Sequence, residues 1–262
     1  MRFRRQHRRD HVCLVPRGLV TVEHLGTVRR QALETGAEVC WLDLGDDDKI
    51  SDAVRTWADA NADPISVTSP KELRRHVKRH RSRGVFIQSP YPEHYPEWFW
   101  PVAADAGLVY SGYGINISTW EEGHYGLVTY ELCSAVIVES EEIRSHHIRW
   151  GADPESIHAF GSPLLYQVRR RLQESSPLAY DLMWAPHWTA DWFGSRGYSR
   201  WRDYARADPG RSVLVRPHPL LPAGIADDHG PDADAYRQLV ELPNVMVSSG
   251  PILDDIAASE RC

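Results

Sequence analysis

The feature that most constrains the fold is an alternation between short apolar runs and longer stretches with helical spacing. Apolar runs of strand character recur at 11–16, 37–44, 65–67, 85–88, 108–112 and 134–139. Helical stretches separate several of these runs: one ends at Gly36, a second lies around 50–60, and a third begins at Pro70. Strands separated by helices of about ten to fifteen residues are typical of βαβ units. The sequence therefore predicts a parallel sheet that helices cover on both faces.

The third helix has the clearest boundary signals in the chain. Ser69 is in the N-cap position, Pro70 is the first helical residue, and Glu72 completes a capping box. Gly84 is the next glycine, and glycine commonly follows the last helical residue. The pattern predicts a helix from Pro70 that terminates at Gly84.

The strand pattern restarts in the second half of the chain. Apolar runs at 181–186, 212–217 and 244–249 surround a helix near 232–241, and another helix begins near Pro251. Between the two halves, residues 161–180 are rich in glycine, proline and serine, which is typical of a crossing between domains. We therefore expect two Rossmann-like domains with parallel sheets. The N-terminal domain would span 1–160, and the C-terminal domain, shorter and apparently truncated, would span 181–262.

Composition excludes several classes of protein. Of the 262 residues, 42% are hydrophobic and 25% are charged, which fits a soluble globular protein, and no apolar run approaches the ~20 residues that span a bilayer. The N-terminal arginines precede no apolar signal segment, so we expect a cytoplasmic location. Four widely spaced cysteines predict neither a disulfide framework nor a zinc site, and no metal ligand set is visible. The P-loop, GxGxxG and GxSxG motifs are absent.

Positive charge is concentrated in two segments of a chain whose net charge is -6. Residues 1–10 contain five arginines, and residues 71–83 contain seven lysines and arginines. One interpretation is attraction to an anionic membrane on its inner face, or to a polyanionic substrate. The other is a solvated helix face and a loose terminus, and the sequence leaves both open. We expect no nucleic acid partner.

Loops that follow the apolar runs hold the candidate site residues. Ligands of open parallel sheets bind outside the carboxyl ends of the strands. His187 lies in "APHWT" after the run at 181–184, and Arg216 and His218 lie in "RPHPLLP" after the run at 212–215. A guanidinium and two imidazoles suit a phosphate or pyrophosphate. A single histidine in such a loop is more often structural, and the adjacent His146 and His147 are predicted to lie on the surface.

Several motifs in order resemble the CDP-glycerol glycerophosphotransferase family. The resemblance rests on "VFIQSPYPEHYP", "VYSGYGINI", "SAVIVESEEIRSHHIRWGADPESIHAFGSPLL", "DLMWAPHWT", "SVLVRPHPLL" and "LPNVMVSSGPILDDIAASE". It implies a two-domain glycosyltransferase-B fold in which Arg216 and His218 bind the donor phosphates. His187 would lie beside them, and His218 and His187 are the catalytic candidates. Tyr113 and Gly114, where polymerising members have a His-Gly pair, would lie on the acceptor side. The family's aspartate-and-serine-rich loop would follow the last residue of this chain.

The resemblance implies an enzyme of teichoic acid biosynthesis. Such an enzyme transfers glycerol phosphate, or a related polyol phosphate, from CDP-glycerol or a similar CDP-polyol to an anionic cell-wall or surface polymer. It releases CMP and needs no further cofactor. Two alternatives remain open: a glycosyltransferase that uses a nucleotide sugar on the same fold, and a truncated, non-catalytic homologue that acts as a binding protein.

Overall fold

The computed structural model describes residues 10–17, 22–45, 55, 63–112, 121–174, 178–185, 194–217, 231–250 and 252–260. The Cα positions divide the chain into two compact units, which are Met1–Gln167 and Val168–Cys262. Each unit contains its own parallel sheet. The predicted helix around 50–60 lies outside the described residues except for Arg55.

Unit 1 is built on a seven-stranded sheet in the order β3-β2-β1-β4-β5-β6-β7, and every pair in it is parallel. The chain moves outward from β1 to β3 and then crosses back, so β1 and β4 form a topological switch point. The strands are β1 (His11–Val15), β2 (Glu38–Asp43), β3 (Asp63–Ser66), β4 (Ser82–Ile87), β5 (Leu108–Ser111), β6 (Ala135–Val138) and β7 (Ile157–Ala159).

Helices connect these strands. They are α1 (Val22–Glu34), α2 (Pro70–His80), α3 (Phe99–Asp105), α4 (Glu121–Tyr125), α5 (Glu141–Arg149) and α6 (Pro163–Glu174), with 3₁₀ turns at Pro92–His94 and Val128–Leu132. After α1 the chain turns at Gly36, which has a φ of 81° and so takes the left-handed conformation that favours glycine. Helix α6 lies within the predicted crossing at 161–180 and runs through the boundary between the units.

Both faces of the sheet in unit 1 are buried. Along β1, Cys13 and Val15 belong to one apolar cluster with Val85 and Phe99. The intervening Val12 and Leu14 belong to a second cluster, which also contains Leu25 and Trp41. Because successive side chains of a strand point to opposite faces, the two clusters lie on opposite sides of the sheet. The predicted parallel sheet covered on both faces is confirmed.

The predicted end of helix α2 at Gly84 is wrong. The Ser69 hydroxyl accepts a hydrogen bond from the Glu72 amide, as expected of the N-cap, but the helix ends at His80. Arg81 adopts the left-handed conformation with a φ of 51°, and β4 begins at Ser82. Gly84 lies inside β4, where a Cβ atom would come within 3.1 Å of the Phe86 ring. Close packing, and not helix termination, therefore explains this glycine.

Unit 2 contains a three-stranded parallel sheet in the order β10-β9-β8. Its strands are β8 (Leu182–Trp184), β9 (Val213–Val215) and β10 (Val245–Val247), and its helices are α7 (Gly194–Ala207), α8 (Pro231–Val240) and α9 (Ile252–Ala257). Tyr198 of α7 and Leu239 of α8 pack with Val213 and Val215 in an apolar core. The three predicted strands are confirmed, whereas α7 and the short strand β7 were not predicted.

Within the described ranges, no helix combines the length and the apolar character that crossing a bilayer requires.

Candidate functional site

Buried polar side chains gather at the carboxyl edge of the sheet in unit 1, around the switch point between β1 and β4. Arg17 lies just after β1, Gln88 and Ser89 follow β4, and Ser111 ends β5. Arg17 and Gln88 are each 1% exposed, and Ser111 is fully buried. Arginine is almost never buried to this extent unless other groups compensate its charge. We refer to these four residues as the switch-point group.

Two side chains hold the backbone and guanidinium of Arg17 in place. The Gln88 amide donates a hydrogen bond to the Arg17 carbonyl oxygen. The guanidinium carbon lies 5.7 Å from the centre of the Tyr95 ring, within the range of a cation–π contact. The Tyr95 hydroxyl donates to the Ser89 carbonyl oxygen at 3.0 Å, and burial raises the pKa of this phenol, which therefore stays neutral. Arg17 thus brings a permanent positive charge to the edge where ligands of such sheets bind.

Two uncharged polar atoms of the switch-point group have hydrogen-bonding capacity that the described residues leave unused. The Gln88 Oε1 atom and the Ser111 hydroxyl are buried, and neither has a hydrogen-bond partner among the described residues. A buried polar group without a partner costs about 1–3 kcal/mol by mutational measurements. Such atoms at the carboxyl ends of strands are suited to bind a polar ligand.

His94 and Ser89 form a hydroxyl–imidazole pair beside this group. The Ser89 Oγ atom lies 2.5 Å from His94 Nδ1, and the edge of the Tyr91 ring approaches the imidazole with the ring centres 5.5 Å apart. His94 is half-buried in the 3₁₀ turn of the loop after β4. A hydrogen bond at one ring nitrogen orients an imidazole and sets its tautomer, which acid–base chemistry requires.

In unit 2, Arg216 follows the carboxyl end of β9 and is tied to two other segments. Its Nη1 atom donates to the Gly250 carbonyl oxygen at 2.5 Å and forms an ion pair with the Asp255 carboxylate of α9. The Ser248 hydroxyl donates to the other Asp255 oxygen at 2.9 Å, and the Gly250 amide donates to Ser248 Oγ at 3.1 Å. These bonds link the ends of β9 and β10 to α9.

The ion pair gives the Arg216 guanidinium a fixed orientation. Guanidinium has five N–H donors, and the bonds to Gly250 and Asp255 are made by Nη1. The arrangement combines a structural role with the capacity to bind an anion. Sequence reasoning did not select Asp255 or Ser248, although both lie in the segment "VSSGPILDDIAASE" on which the family resemblance partly rests.

Arg216 is the only predicted site residue that falls within the described ranges. His187, His218, Tyr113 and Gly114 lie outside the described residues, as do residues 1–9 of the first basic segment. Their assignments stay predictions. Of the second basic segment, Lys71, Arg74, Arg75, Lys78 and Arg79 are exposed on α2, and Arg83 of β4 pairs with Asp10 at 2.8 Å.

A second group of buried polar side chains lies at the opposite, amino edge of the same sheet. It contains His11 and Cys13 of β1, Cys40 of β2 and His76 of α2, whose potential ligand atoms all lie within 4.8 Å of one another. A hydrogen bond from the Cys40 thiol holds the pKa of the Cys13 thiol well below its ordinary value, against the opposing effect of burial. The wide spacing of the cysteines gave no signal for this arrangement, which we call the amino-edge cluster.

The predicted surface position of His147 is wrong. This side chain is 3% exposed, and its ring packs edge-on against Tyr130 and Tyr125 with centres 4.7 and 5.1 Å apart. Burial, with a smaller contribution from neighbouring His146, lowers the pKa of His147 to about 4. The imidazole is therefore neutral at physiological pH. His146, by contrast, remains partly exposed and approaches the Glu121 carboxylate at 3.3 Å.

Comparison with known proteins gives a fold but no family. No protein-family model matches the sequence, and no curated protein matches it. Among solved structures, a glycosyltransferase from Rickettsia africae ESF-5 is similar, with a TM-score of 0.53 and 14% identity over 97% of this chain and 72% of that one. UDP-N-acetylglucosamine 2-epimerase from Rickettsia bellii has a TM-score of 0.58 and 11% identity over 96% and 71%. The Anabaena protein HepE, in complex with UDP and glucose, has a TM-score of 0.55 and 13% identity over 96% and 72%.

These neighbours are a glycosyltransferase, an epimerase and a protein crystallised with UDP and glucose. The chain has an α/β fold with a seven-stranded parallel sheet and a second, small parallel sheet, and this fold is similar to that of these neighbours. Identities of 11–14% establish similarity of fold alone. None of the three is a CDP-glycerol glycerophosphotransferase.

Proposed function

We propose that the protein transfers glycerol phosphate, or a related polyol phosphate, from a CDP-linked donor to a hydroxyl of an anionic cell-wall or surface polymer, and releases CMP. The observation that carries this proposal is the position of Arg216. Its guanidinium is held by Asp255 at the carboxyl end of β9, in the "RPHP" motif, within a fold shared with enzymes of nucleotide sugars. The motif and the oriented cation together favour recognition of a donor diphosphate.

On the donor side, charge develops on the phosphoryl oxygens and on the leaving CMP as the acceptor attacks phosphorus. An oriented guanidinium stabilises this charge without further reorganisation, because its position is fixed before the reaction begins. We assign this role to Arg216 and His218, with His187 beside them as a second catalytic candidate. No metal and no further cofactor take part in the proposed transfer.

On the acceptor side, we assign binding to the switch-point group of unit 1. Arg17 supplies a positive charge for an anionic polyol phosphate or glycan, and Gln88 Oε1 and the Ser111 hydroxyl offer hydrogen bonds to its hydroxyl groups. Tyr113 and Gly114 follow Ser111 by two and three residues and are assigned to the same side. The exposed basic residues of α2, with the basic segment 1–10, would hold the enzyme at an anionic membrane or polymer. Nucleic acid is not a proposed partner.

We further assign the general base to His94. The acceptor hydroxyl loses its proton to the imidazole while its oxygen forms a bond to phosphorus, and the bond between phosphorus and the CMP oxygen breaks. Ser89, at 2.5 Å from Nδ1, orients the ring. This assignment replaces the family histidine, since Tyr113 occupies that position and an ordinary tyrosine pKa near 10 makes a poor base.

Donor binding by the full chain tests the first assignment. Calorimetric titration with CDP-glycerol, CDP-ribitol, UDP-N-acetylglucosamine and UDP-glucose should show binding of a CDP-polyol. Arg216→Lys should weaken it by about 10- to 100-fold, because a charge-assisted hydrogen bond contributes about 1.5–3 kcal/mol. Arg211→Lys is the matched control, because this exposed arginine precedes β9, whereas Arg216 follows it, and pairs with Asp208. The Arg211→Lys variant should bind the donor as the wild type does. Binding of UDP-sugars alone would contradict the choice of donor.

Transfer itself tests the base. With CDP-glycerol and a polyol-phosphate acceptor, CMP release followed by chromatography should fall about 10²- to 10⁴-fold in His94→Gln. The donor dissociation constant should stay unchanged. His158→Gln, which changes a half-buried histidine of β7, should release CMP at the wild-type rate. Equal activity in His94→Gln and the wild type would remove His94 from the mechanism.

One other function has specific support. The similarity to a glycosyltransferase and to HepE, which was crystallised with UDP and glucose, favours a nucleotide-sugar glycosyltransferase. The same calorimetric titration separates this function from polyol phosphate transfer by the donor that binds. A non-catalytic binding protein would bind a donor or acceptor without releasing CMP or UDP.

A further inference from the structure

The amino-edge cluster combines four side chains that are metal ligands in other proteins. His11, Cys13, Cys40 and His76 come from three elements, β1, β2 and α2, and none is more than 8% exposed. We propose that this cluster is a structural Zn²⁺ site. Two thiolates and two imidazoles are one of the ligand sets that structural zinc sites use.

The distances between the side-chain atoms fit tetrahedral coordination of one zinc ion. Bonds of about 2.3 Å to sulfur and 2.0–2.1 Å to nitrogen place two sulfurs about 3.8 Å apart, and a sulfur and a nitrogen about 3.5 Å apart. The sulfurs of Cys13 and Cys40 are 3.8 Å apart. Cys40 Sγ lies 3.6 Å from His76 Nε2, and Cys13 Sγ lies 3.8 Å from His11 Nδ1. Small side-chain movements would complete the tetrahedron.

The fold itself brings these ligands together. Cys13 of β1 and Cys40 of β2 are paired in the parallel register, so their side chains lie next to each other on one face of the sheet. His11 lies two residues before Cys13 and therefore shares that face. Helix α2 covers it and contributes His76, whose ring stacks on His80 with centres 4.5 Å apart.

Charge and local hydrogen bonds also suit zinc. Two thiolates and two neutral imidazoles carry a charge of −2, which Zn²⁺ neutralises, so the occupied site buries no net charge. The Ser82 hydroxyl lies 3.1 Å from His11 Nδ1 and 3.4 Å from Cys13 Sγ. When Nδ1 binds the metal, this hydroxyl is placed to donate to the Cys13 thiolate, a support that metal ligands commonly receive.

The position of the cluster indicates a structural role. Four protein ligands leave no open coordination position for a substrate, unlike catalytic zinc sites. The cluster also lies at the amino edge of the sheet, at the other end of β1 from the switch-point group. Zinc there would join β1, β2 and α2.

Metal analysis of the full chain tests the site. Protein that is purified after exposure to Zn²⁺ and dialysed should retain one zinc per chain by elemental analysis. After replacement by Co²⁺, it should show the visible absorption of tetrahedral cobalt and a thiolate charge-transfer band. Cys13→Ser/Cys40→Ser should lose both signals. Cys133→Ser is the matched control, because this buried thiol lies outside the cluster, and it should keep both.

A second measurement covers the case in which the double variant fails to fold. In the wild type, a chelator should remove the metal and make two further thiols reactive toward a thiol reagent, and added Zn²⁺ should protect them again. The proposal is overturned if folded wild type retains no zinc and gives no cobalt spectrum, or if the double variant keeps its metal. A Cys13–Cys40 disulfide, found by mass spectrometry of peptides from protein purified under non-oxidising conditions, would also overturn it.

Discussion

Buried polar groups lie at both ends of strand β1, but they differ in side-chain type and in how many of their polar atoms have a partner among the described residues. At the amino end, His11 Nδ1 and the Cys13 thiol contact each other, the Ser82 hydroxyl and the Cys40 thiol. At the carboxyl end, Arg17 brings a buried cation, and the neighbouring Gln88 Oε1 and Ser111 hydroxyl have no partner among the residues that the structure describes. The described residues thus provide partners for His11 Nδ1 and the Cys13 thiol at the amino end, whereas they leave Gln88 Oε1 and the Ser111 hydroxyl without one at the carboxyl end.

This difference separates stability from function within one sheet. Polar groups that satisfy one another, or share a metal, hold elements together and contribute to the free energy of unfolding. Buried groups that lack partners lower that free energy, and proteins commonly retain such a cost where a ligand is bound. Substitutions at the amino edge should therefore destabilise the protein, whereas loss of the Ser111 hydroxyl, which has no partner among the described residues, should weaken ligand binding while stability holds or rises.

Removal of zinc should have the largest effect on stability. Binding to the native state alone stabilises it by about 4 kcal/mol when free zinc exceeds the dissociation constant a thousandfold. Chelation should therefore accelerate hydrogen exchange at the amides of β1 and β2. Amides of β8 and β9 in unit 2 are the internal control and should exchange as before. Equal acceleration in both sheets would contradict a zinc site that is local to unit 1.

Acid should destabilise the protein through His147, and this effect should be separable from loss of zinc. Burial lowers the pKa of His147 to about 4, whereas an unfolded histidine has a pKa of about 6.5. Between these values the unfolded state binds more protons, so this contribution is complete above pH about 6.5 and is lost as the pH falls toward 4. The loss amounts to roughly 3 kcal/mol at most. His147→Phe should flatten this part of the stability profile in chelator-treated protein.

The zinc-free state matters because protons also compete with zinc for thiolates and imidazoles. Above pH 7, the free energies of unfolding of His147→Phe and the wild type should differ by an amount that is independent of pH. This constant difference is the reference for the change at lower pH. Burial raises the pKa of Glu139, so its protonation increases the free energy of unfolding as the pH falls. Glu139 therefore cannot account for a loss of stability in acid. An unchanged acid dependence in His147→Phe would show that another group is responsible.

The sequence predicted strands best where they are continuous apolar runs that the fold buries, as in β1 ("HVCLV") and β9 ("VLV"), whose residues are all buried. Strand β7 was missed because it has three residues, "IHA", at the edge of the sheet. Helix α7 was missed because "GSRGYSRWRDYARA" begins with glycine and serine, which are not strong helix formers. Gly84 was interpreted as the end of a helix, but it lies in β4, where close packing against Phe86 favours glycine.

The candidate sites were harder to predict because they depend on the order and register of strands. Arg17 follows an ordinary apolar run, and only the placement of β1 beside β4 gives it a position at the switch point. Cys13 and Cys40 match no metal-binding motif, and only the pairing of β1 with β2 brings their sulfurs together. Arg216, by contrast, was selected from its local motif and stays a predicted site residue, whereas its ion-pair partner Asp255 was not selected.

The smallest predicted effect provides the most direct test of the carboxyl edge. Ser111→Ala removes a fully buried hydroxyl without a described partner, so urea denaturation should show an increase in stability of about 1 kcal/mol. Thr129→Val is the matched control, since its buried hydroxyl donates to the Pro90 carbonyl oxygen at 2.8 Å and its loss should cost about 1 kcal/mol. Ser111→Ala should also slow transfer to the acceptor. If Ser111→Ala destabilises the protein as Thr129→Val does, the hydroxyl serves the fold, and the contrast between the two ends of β1 fails there.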